Sequence, residues 1–554
     1  MISPFSIRNS ISGEMARALH RGFGLENAGI RVGESAEPSF GDLSCSAAMG
    51  LARTLRRPPA EIAAVMAREV SQLPFVDSVS VDGPGFVNIT LSMDYLASAA
   101  ARLSQSGLRA LLSEAGARGN ALVEFVSSNP TGPLTVGHCR QAVLGEAICR
   151  LLSSVGWTVT REYYFNDAGR QMDRLAESLA ARYCQFLGGA MTIPEGGYQG
   201  EYVLDWARSL VKTAPALEWP RDRNRFREEA VNRAFELIRD DLSLLGITFD
   251  RYFAESELIP DQVEKTMARL EKAGLTYRDP DGSGKVWLSL TALGRPEDRV
   301  VRRAEGGYTY RMPDIAYHLD KFDRGYDLMV DVFGSDHIDT SRDVEAAVSA
   351  LLGKQEVENR LKTVIHQFVT LARGGEIVKM STRAGDFVTL RDLVSEVGSP
   401  DVTRYLFLTR RAEAHMEFDL EAARKDSEEN PVYYIQYAFA RIGGILRLAG
   451  DRFRNADPAE DAQLLVAHRE RELLRLLEAL PVRVADAASD LAPHRITETA
   501  SELATAFHGF YQHHKVIDEG NIPLTRARML LCLACREGLF GLLEVLGVSA
   551  PERM

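Results

Sequence analysis

The sequence predicts an α/β domain with a Rossmann-like, doubly wound parallel sheet, preceded by a small α+β domain and followed by an all-α helical bundle. From Ala121 onwards, segments rich in β-forming residues alternate with segments of helical periodicity. Before residue 110 a hairpin pattern follows an amphipathic helix, and beyond about Pro400 only helical spacing is found. At 554 residues the chain exceeds what one hydrophobic core usually supports. The predicted domains are residues 1–110, residues 111–400 with a helical insertion at about 172–248, and residues 401–554.

The N-terminal stretch has the features of a small mixed domain. Pro58 and Pro59 suit the start of a helix, because proline is favoured in the first helical turn, and apolar residues then recur at helical spacing. Alternating apolar residues on either side of the Asp-Gly-Pro-Gly sequence at 82–85 predict a β-hairpin. The polar stretch at 104–120 is predicted to be a linker that is partly helical.

A strand, a loop and a helix open the middle domain. The strand is predicted at 121–126, and a helix with one apolar stripe continues to about residue 154. Backbone N–H groups at a helix N-terminus attract phosphate. Gly137 would let a base or a phosphate approach the backbone, and His138 can donate to a triphosphate oxygen. The loop predicts a nucleotide site, and an ordinary connecting loop with an incidental histidine is the alternative.

Further strands are predicted at 157–165, 327–333 and 363–371. The strand at 327–333 is followed by Gly334, Ser335, Asp336 and His337. Ligands of doubly wound sheets bind at the carboxyl ends of parallel strands, so these polar residues are site candidates. The Gly-Ser-Gly-Lys sequence at 282–285 lacks the first glycine of a phosphate-binding P-loop, and we predict the turn of a hairpin there.

Beyond about Pro400 the chain is predicted to be wholly helical. Successive amphipathic segments lie at 405–408, 432–449, 464–480, 496–516 and 527–546, with short polar breaks between them. Together they imply a helical bundle of roughly 150 residues.

Composition and charge limit the classes of protein that remain. Hydrophobic residues make up 45% and charged residues 26%, an ordinary balance for a globular protein. No apolar run approaches the roughly 18 residues of a membrane span, and the first residues lack the pattern of a signal peptide, so we expect a cytoplasmic protein with no membrane partner. The net charge of −12 argues against indiscriminate nucleic-acid binding, and so against DNA, but allows a shaped RNA bound through local basic faces.

The six cysteines do not form a metal or disulfide pattern. Only Cys532 and Cys535 have a C-x-x-C spacing, and they lie within a helical apolar run, so core packing is predicted in preference to zinc. We therefore expect no structural zinc, no protein metal site and no disulfide framework.

Two separated motifs form a joint signature. Thr135-Val-Gly-His138 opens the predicted nucleotide-binding fold, and Lys379-Met-Ser-Thr382 follows far downstream. In this order and on an alternating α/β pattern, they resemble the His-Ile-Gly-His and Lys-Met-Ser-Lys motifs of class I aminoacyl-tRNA synthetases.

Within that class the sequence is similar to the arginyl-tRNA synthetases over nearly the whole chain. The catalytic region matches in Ser128-Asn-Pro-Thr-Gly-Pro-Leu134, Tyr163-Tyr-Phe-Asn-Asp167, Phe249-Asp250 with Glu255-Ser256, and Asp314-Ile-Ala-Tyr317. The flanking regions match in Phe40-Gly-Asp42, Gly83-Pro-Gly-Phe86, Asn430-Pro-Val-Tyr-Tyr-Ile-Gln-Tyr-Ala438 and Ala550-Pro-Glu-Arg-Met554.

The resemblance implies ATP-dependent activation of L-arginine to arginyl-adenylate, followed by transfer to tRNA(Arg), with Mg²⁺ carried by ATP. It implies that Glu255, Tyr310 and Asp314 contact the guanidinium, that Asn129 and Asp336 hold the α-amino end, and that Glu124 supports the site. The implied ATP-binding residues are Pro133, Thr135, Gly137, His138, Gly334, His337, Lys379, Met380 and Ser381. The implied catalytic residues are His138 and Lys379.

The resemblance also implies that the helical domain recognises the anticodon and that the N-terminal domain contacts the outer corner of the tRNA. The implied contacts in the helical domain are Tyr433, Gln436, Tyr437 and Arg441, whose aromatic rings could stack on splayed bases. The alternative for any one of these side chains is a place in the bundle core. A monomer is expected.

Two residues depart from the class signature. Thr135 replaces its first histidine and Thr382 its second lysine, and each change could remove a donor that contributes on the order of 10²-fold in rate. Arg383, or Arg373 upstream, is the candidate substitute for the lysine, and the Thr135 hydroxyl or a water for the imidazole. These departures motivate one alternative, a non-catalytic paralogue that binds arginine or tRNA. A class I synthetase for another amino acid is a second alternative, but an acidic pocket favours arginine.

Overall fold

The computed structural model describes residues 4–26, 28–114, 116–167, 169–378, 388–425, 427, 429–450 and 461–554. They form two compact units. The first comprises the described residues up to Gly116 together with those after Lys425, and the second is Ala117–Lys425. No helix in these described ranges is long and apolar enough to cross a membrane.

The N-terminal part of the first unit combines helices with an antiparallel sheet. Its elements are α1 (Pro4–Phe23), β1 (Gly33–Glu34), β2 (Leu43–Cys45), α2 (Ala47–Leu55), α3 (Pro59–Val70), β3 (Val76–Asp82), β4 (Phe86–Leu91) and α4 (Met93–Ser113). The strands lie in the order β1-β2-β4-β3. The predicted hairpin is confirmed as β3 and β4, and Pro59 lies in the first turn of α3 as predicted.

The stretch at 104–120, predicted to be a partly helical linker, is helical up to Ser113, where α4 ends. Gly107, with φ of +74° and ψ of 162°, is not helical, so α4 consists of two helical segments that meet at a kink there. Leu108, Leu111 and Leu112 are buried, and a Cβ atom on Gly541 would lie 2.7 Å from the Leu108 Cβ. Apolar packing therefore keeps this polar-looking stretch helical.

The second unit begins with the elements that surround the predicted nucleotide loop. They are β5 (Gly119–Glu124), α5 (Val136–Ser154), β6 (Trp157–Phe165), α6 (Arg170–Phe186), α7 (Glu201–Thr213), α8 (Arg223–Ser243), β7 (Arg251–Ala254), α9 (Asp261–Lys272), β8 (Thr276–Arg278), β9 (Val286–Leu288) and β10 (Arg299–Arg302). The predicted strand at 157–165 is confirmed, and β8 and β9 form the hairpin predicted around residues 282–285.

The second unit continues with α10 (Arg311–Asp323), β11 (Leu328–Gly334), α11 (Ile338–Leu352), α12 (Lys354–Arg360), β12 (Leu361–His366), β13 (Val369–Arg373), β14 (Glu376–Ile377), α13 (Leu390–Val397), α14 (Pro400–Leu408), β15 (Met416–Asp419) and α15 (Leu420–Ala423). A parallel sheet in the order β12-β11-β5-β6-β7 is the centre of the unit. The chain order reverses at β5, so the switch point lies beside the loop that opens α5.

The single strand predicted at 363–371 is two strands in different sheets. β12 pairs with β11, whereas β13 pairs with β14 and β15. Between them the Gln367 N–H donates to the Ala412 carbonyl, and the Gln367 carbonyl accepts from the buried Arg140 guanidinium. These bonds satisfy the backbone where the chain leaves the parallel sheet.

The prediction that the chain is wholly helical beyond Pro400 is wrong at β15. Met416 and Phe418 are buried, Glu417 between them is exposed, and the strand pairs in parallel with β13. Four residues of alternation were too short a signal against the helical pattern on both sides.

The C-terminal part of the first unit is a set of packed helices. They are α16 (Pro431–Ala449), α17 (His468–Ser489), α18 (His494–His513) and α19 (Ile522–Leu546). Each overlaps a predicted helical segment, which confirms the bundle. Cys532 and Cys535 are buried free thiols in α19.

Candidate active site

The loop after β5 has an unusual backbone. Val126 and Ser127 have φ angles of +67° and +39°, a region that side chains other than glycine rarely adopt. The Tyr163 hydroxyl donates to the Ser128 carbonyl at 2.9 Å and lies 2.7 Å from the Ser128 hydroxyl, while the Tyr164 N–H donates to the Ser127 hydroxyl. Strained backbone of this kind persists where neighbours fix it, and such residues cluster at functional sites.

His138 lies in the first turn of α5, next to the N-cap residue Thr135. Its Nδ1 accepts the Thr135 backbone N–H at 3.1 Å and lies 3.2 Å from the Thr135 hydroxyl. Because Nδ1 accepts a hydrogen bond, Nε2 carries the ring hydrogen and can donate to a ligand. Burial lowers the pKa of His138, while Asp336 acts in the opposite direction, so the neutral imidazole is favoured.

Gly137 leaves space at the N-terminus of α5. A Cβ atom on Gly137 would have the Thr135 hydroxyl, at 3.7 Å, as its nearest neighbour. Pro133 and Thr135 lie on either side of Leu134 just before the helix, and Gly137 in its first turn is exposed, at a helix end where backbone N–H groups attract phosphate.

The end of β11 supplies the other predicted nucleotide residues. Gly334 ends the strand, and a Cβ atom there would lie 2.5 Å from an Asp336 carboxylate oxygen. Asp336 and His337 are both well exposed, with 3.7 Å between the carboxylate and the imidazole Nε2. They are therefore available to a ligand at the carboxyl edge of the sheet.

The second signature lies outside the described residues. Lys379, Met380, Ser381, Thr382 and Arg383 all fall in this part of the chain.

The residues that follow the second signature lie against the first. Thr389 forms an antiparallel bridge with Thr135, and the Leu390 N–H donates to the Leu134 carbonyl at 2.7 Å. Arg373, the alternative substitute for the missing lysine, pairs with Glu396 in α13.

The predicted arginine pocket contains a buried carboxylate, Glu255, that is oriented by neutral groups, and a partly buried one, Asp314. The two oxygens of Glu255 accept hydrogen bonds from the Asn166 amide and the Tyr164 hydroxyl, both at 2.8 Å. Burial raises the pKa of Glu255, and burial raises that of Asp314 to about 7, with Glu255 among the charges that add to the effect. Two nearby acids that are costly to ionise are suited to a cationic ligand.

The remaining predicted pocket residues lie at its edges. Tyr310 is 71% exposed at the N-terminus of α10. Asn129 donates to the Gln171 side chain at 2.7 Å and accepts from the Asn166 backbone N–H, so its amide is fixed beside the same loop.

Glu124 belongs to a buried charge network. Lys321 donates to Glu124 at 2.5 Å and to Asp331 at 2.6 Å. His318 connects Asp331, 2.9 Å from its Nε2, with the Asp314 carbonyl, 2.7 Å from its Nδ1. Glu124 is thus paired with a cation inside the protein, and its network extends to the Asp314 backbone.

Sequence reasoning missed Tyr164, Asn166, His318, Lys321 and Asp331 as parts of this site. The sequence did contain a signal for Tyr164 and Asn166, because both lie at the carboxyl end of a predicted parallel strand. The other three depend on contacts between α10 and β11 that no local pattern reports.

The predicted tRNA contacts lie on α16 in the first unit. The Arg441 guanidinium lies over the Tyr437 ring at 4.3 Å and over the Tyr511 ring at 4.9 Å, and His508 stacks on Tyr437. Gln436 is buried and donates to the Ser549 carbonyl at 2.9 Å, and Tyr433 is partly buried on the same helix.

Comparison with known families identifies this architecture. The model described as "tRNA synthetases class I (R), catalytic domain" matches residues 102–404, which defines the protein as a class I aminoacyl-tRNA synthetase. The models "Arginyl tRNA synthetase N terminal domain" and "DALR anticodon binding domain" match residues 6–91 and 435–554.

Similar proteins specify the family. An arginine–tRNA ligase of Thermotoga maritima is 40% identical over 99% of this chain and 100% of its own, and one of Desulfotalea psychrophila is 41% identical over 93% of each. The structure of Thermus thermophilus arginyl-tRNA synthetase covers 99% of this chain and 100% of that one with a TM-score of 0.78 at 21% identity, which supports the fold. The chain belongs to the arginyl-tRNA synthetase family.

Proposed function

We propose that the site around α5, β11 and Glu255 carries out the ATP-dependent ligation of L-arginine to tRNA(Arg) that is the function of this family. The observation that carries the proposal is the pair of nearby carboxyl groups, Glu255 and Asp314, whose pKa values are raised by burial. A permanently charged guanidinium presents a planar fork of donors that matches such a pair, whereas the point charge of lysine does not.

In the proposed arginine complex, Glu255 and Asp314 accept hydrogen bonds from the guanidinium, and Tyr310 also contacts it. Tyr164 and Asn166 hold the Glu255 carboxylate in one orientation, so part of the ordering cost is met before arginine binds. Asn129 and Asp336 hold the α-amino end at the edge of the sheet.

Adenylation forms a bond between the arginine carboxylate and the α-phosphorus of ATP and breaks the bond to pyrophosphate. His138, with Nε2–H as donor, would hold an α-phosphate oxygen, and the backbone around Gly137 would help, since the Leu134 and Thr135 N–H groups already donate to Asp241 and His138. Gly334 and His337 would line the nucleoside, while Lys379, Met380 and Ser381 would hold the leaving pyrophosphate. Catalysis is then chiefly positioning and stabilisation of charge on phosphoryl oxygens.

Mg²⁺ would arrive on ATP, because it usually binds such sites through substrate phosphates and few protein ligands. The ion would supply positive charge to the phosphates when bound.

Arg383 is proposed to supply the charge that Thr382 lacks. The position of Arg373 supports this choice, because its guanidinium is already paired with Glu396. Arg383→Ala should lower the rate of adenylation, and a normal rate in that variant would remove Arg383 from the mechanism.

Transfer to tRNA would involve the flanking domains, proposed as residues 1–110 and 401–554 on either side of the catalytic domain 111–400. Tyr433, Gln436, Tyr437 and Arg441 are the proposed anticodon contacts. The Arg441–Tyr437–Tyr511 arrangement supports this role, because stacked rings and a guanidinium plane are a platform for unpaired bases. Gln436 would act by holding the C-terminal segment, since its amide is bound to Ser549.

We also propose that the protein is a cytoplasmic monomer. Its cysteines are free thiols, which suits a reducing compartment. Sedimentation analysis with and without tRNA tests the oligomeric state.

The central experiment is exchange of labelled pyrophosphate into ATP, with arginine or lysine, and with or without tRNA(Arg). We expect exchange with arginine and none with lysine. Exchange only when tRNA is present would mean that RNA completes the site. Absence of exchange under every condition, from folded protein that still binds tRNA, would favour the non-catalytic alternative, for which the comparisons give no support.

A further inference from the structure

Asp241, in α8 of the helical insertion, is a buried carboxylate with a partner on each oxygen. Its side chain is 0% exposed. Oδ2 accepts the Leu134 backbone N–H at 3.3 Å, and Oδ1 accepts from the Arg391 guanidinium, with Nε at 3.0 Å and a terminal nitrogen at 2.9 Å.

These partners lie beside the two signatures in the sequence, because Leu134 directly precedes the first and Arg391 follows the second by nine residues. Leu134 directly precedes Thr135, the N-cap of the helix that carries His138. Arg391 lies in the first turn of α13, two residues after Thr389. The carboxylate therefore adds a third connection between segments already joined by the Leu390 hydrogen bond and the Thr135–Thr389 bridge.

Keeping the Asp241 carboxylate ionised in this buried position has a free-energy cost. Burial raises the pKa of Asp241, and the Leu134 N–H and Arg391 act in the opposite direction, so the carboxylate depends on both partners to stay ionised. Arg391 is 47% exposed, so solvent screens the pair and limits what it adds to stability. A bridge with little stabilising value between two catalytic segments points to a role in geometry.

We propose that Asp241 and Arg391 are positioning residues that lock the start of α13 onto the start of α5 and thereby set the placement of His138 for adenylation. The inference rests on the proposed function, because it assigns these residues to the ATP-dependent step. Displacement of reacting groups by about 1 Å can cost roughly 10²-fold in rate, so loss of one bridge contact is expected to reduce turnover by at least about tenfold.

Two substitutions break the bridge in different ways. Arg391→Gln removes the cation from a half-exposed position and should fold normally. Asp241→Asn keeps an acceptor for the Leu134 N–H but presents an amide to the Arg391 guanidinium. Arg391→Lys restores a cation that can reach Oδ1 and serves as the rescue variant.

Arg161→Gln is the matched control. Arg161 also pairs with a buried carboxylate, Glu146, at 2.7 Å, and Glu146 keeps Arg150 as a second partner after the change. This pair joins α5 to β6 and lies beyond the helix turn that carries His138. Loss of the Arg161–Glu146 contact therefore measures the general effect on kcat of removing an arginine from a buried carboxylate in this unit.

The test measures kcat and the separate KM values of pyrophosphate exchange with tRNA(Arg) present, together with amide hydrogen exchange at Leu390. We expect Arg391→Gln and Asp241→Asn to lower kcat at least about tenfold and to speed exchange at Leu390, with the KM for arginine unchanged. Arg391→Lys should recover most of the loss. A kcat for Arg391→Gln equal to that of Arg161→Gln, or a lysine variant as poor as the glutamine variant, would overturn the proposal.

Failure of the proposed function gives a different result. Wild-type protein would then show no arginine-dependent exchange of pyrophosphate at all. Exchange in the wild type and equal exchange in every variant would instead keep the function and remove the bridge from it.

Discussion

Glu255 is the residue on which recognition of arginine is expected to depend most. Its carboxylate is buried and held by two neutral donors, so the guanidinium would bring a positive charge to a desolvated negative one. Removing one partner of such a pair costs about 2–5 kcal/mol. Glu255→Gln should therefore raise the KM for arginine in pyrophosphate exchange by at least about 30-fold, with a smaller effect on the KM for ATP.

Tyr164→Phe is the control that disturbs the orientation of the Glu255 carboxylate and keeps its charge. It removes one hydrogen bond to Glu255, and a bond to a charged group contributes about 1.5–3 kcal/mol, part of which water can replace at this partly buried site. The KM for arginine should rise less than in Glu255→Gln. Equal effects of the two substitutions would mean that orientation by Tyr164, and not the charge of Glu255, dominates binding.

Asp314 should make arginine binding depend on pH near neutrality. Burial raises the pKa of its carboxyl to about 7, and the guanidinium binds the ionised form. Lowering the pH from 8 to 6 reduces the ionised fraction by about tenfold, so the KM for arginine should rise by about tenfold over that range. Acidification should therefore weaken the binding of arginine. The measurement is the KM for arginine at each pH with saturating ATP.

Asp314→Asn separates this titration from that of other groups. The variant should bind arginine weakly at every pH, and its KM should change less between pH 6 and pH 8 than that of the wild type. A variant that keeps the full tenfold change would assign the titration to another group, such as Glu255.

The residues of the pocket show what a sequence can and cannot predict at this scale. Glu255 and Asp314 were predicted because they match family motifs, not because any spacing marked them as neighbours. Gln436 was grouped with RNA contacts from its position in a motif, and its amide proves to hold Ser549. The direction in which a side chain points depends on distant partners, which local patterns do not contain.

At the scale of elements, Thr135 links the cap of α5 to the orientation of His138. Its hydroxyl lies 3.2 Å from His138 Nδ1, so we expect it to act on ATP chiefly through the imidazole. Thr135→Ala should reduce stability by about 1 kcal/mol, the usual value of an N-cap. It should lower kcat of pyrophosphate exchange by about fivefold, the equivalent of one neutral hydrogen bond.

Thr135→Ser keeps the hydroxyl and should retain the rate. A fall of about 10²-fold in Thr135→Ala, with normal stability, would contradict this account. It would mean that the hydroxyl replaces the missing histidine of the signature as a donor to phosphate.

Elements were predicted well where many consecutive residues follow one pattern, and poorly where a short strand depends on its partner strand. Nine residues of β-forming character were enough to give the bounds of β6. The strand Met416–Asp419 is stabilised by its pairing with β13, and the break at Gln367 by bonds from Arg140 and to Ala412. Those interactions join residues far apart in the chain, up to 227 positions for Arg140 and Gln367.

At the scale of the molecule, the two ends of the chain meet in one compact unit. Arg8 in α1 pairs with Glu478 in α17 through its two terminal guanidinium nitrogens, at 2.8 and 2.9 Å. The Tyr95 hydroxyl donates to the same carboxylate at 3.0 Å. Patterns along the sequence predicted a mixed domain and a helical bundle separately. The contact between them depends on residues 470 positions apart, which no window of sequence contains.

This buried pair leads to a prediction about how the units unfold. Glu478→Gln removes the carboxylate from a guanidinium that is 7% exposed, and breaking such a pair costs about 3–5 kcal/mol. Tyr95→Phe, which removes one hydrogen bond to the same carboxylate, should cost about half as much. Trp157, Trp206, Trp219 and Trp287 all lie in the other unit, Ala117–Lys425, so tryptophan fluorescence reports on that unit while far-UV circular dichroism reports on both.

In urea, Glu478→Gln should move the circular-dichroism transition to lower denaturant and leave the fluorescence midpoint unchanged, because the lost pair lies within the first unit. Binding of arginine and ATP to the folded variant should remain normal for the same reason. A fluorescence midpoint that falls together with the circular-dichroism transition would contradict the prediction. It would show that the two units unfold as one cooperative structure, so that a charge pair between the chain ends stabilises the catalytic unit as well.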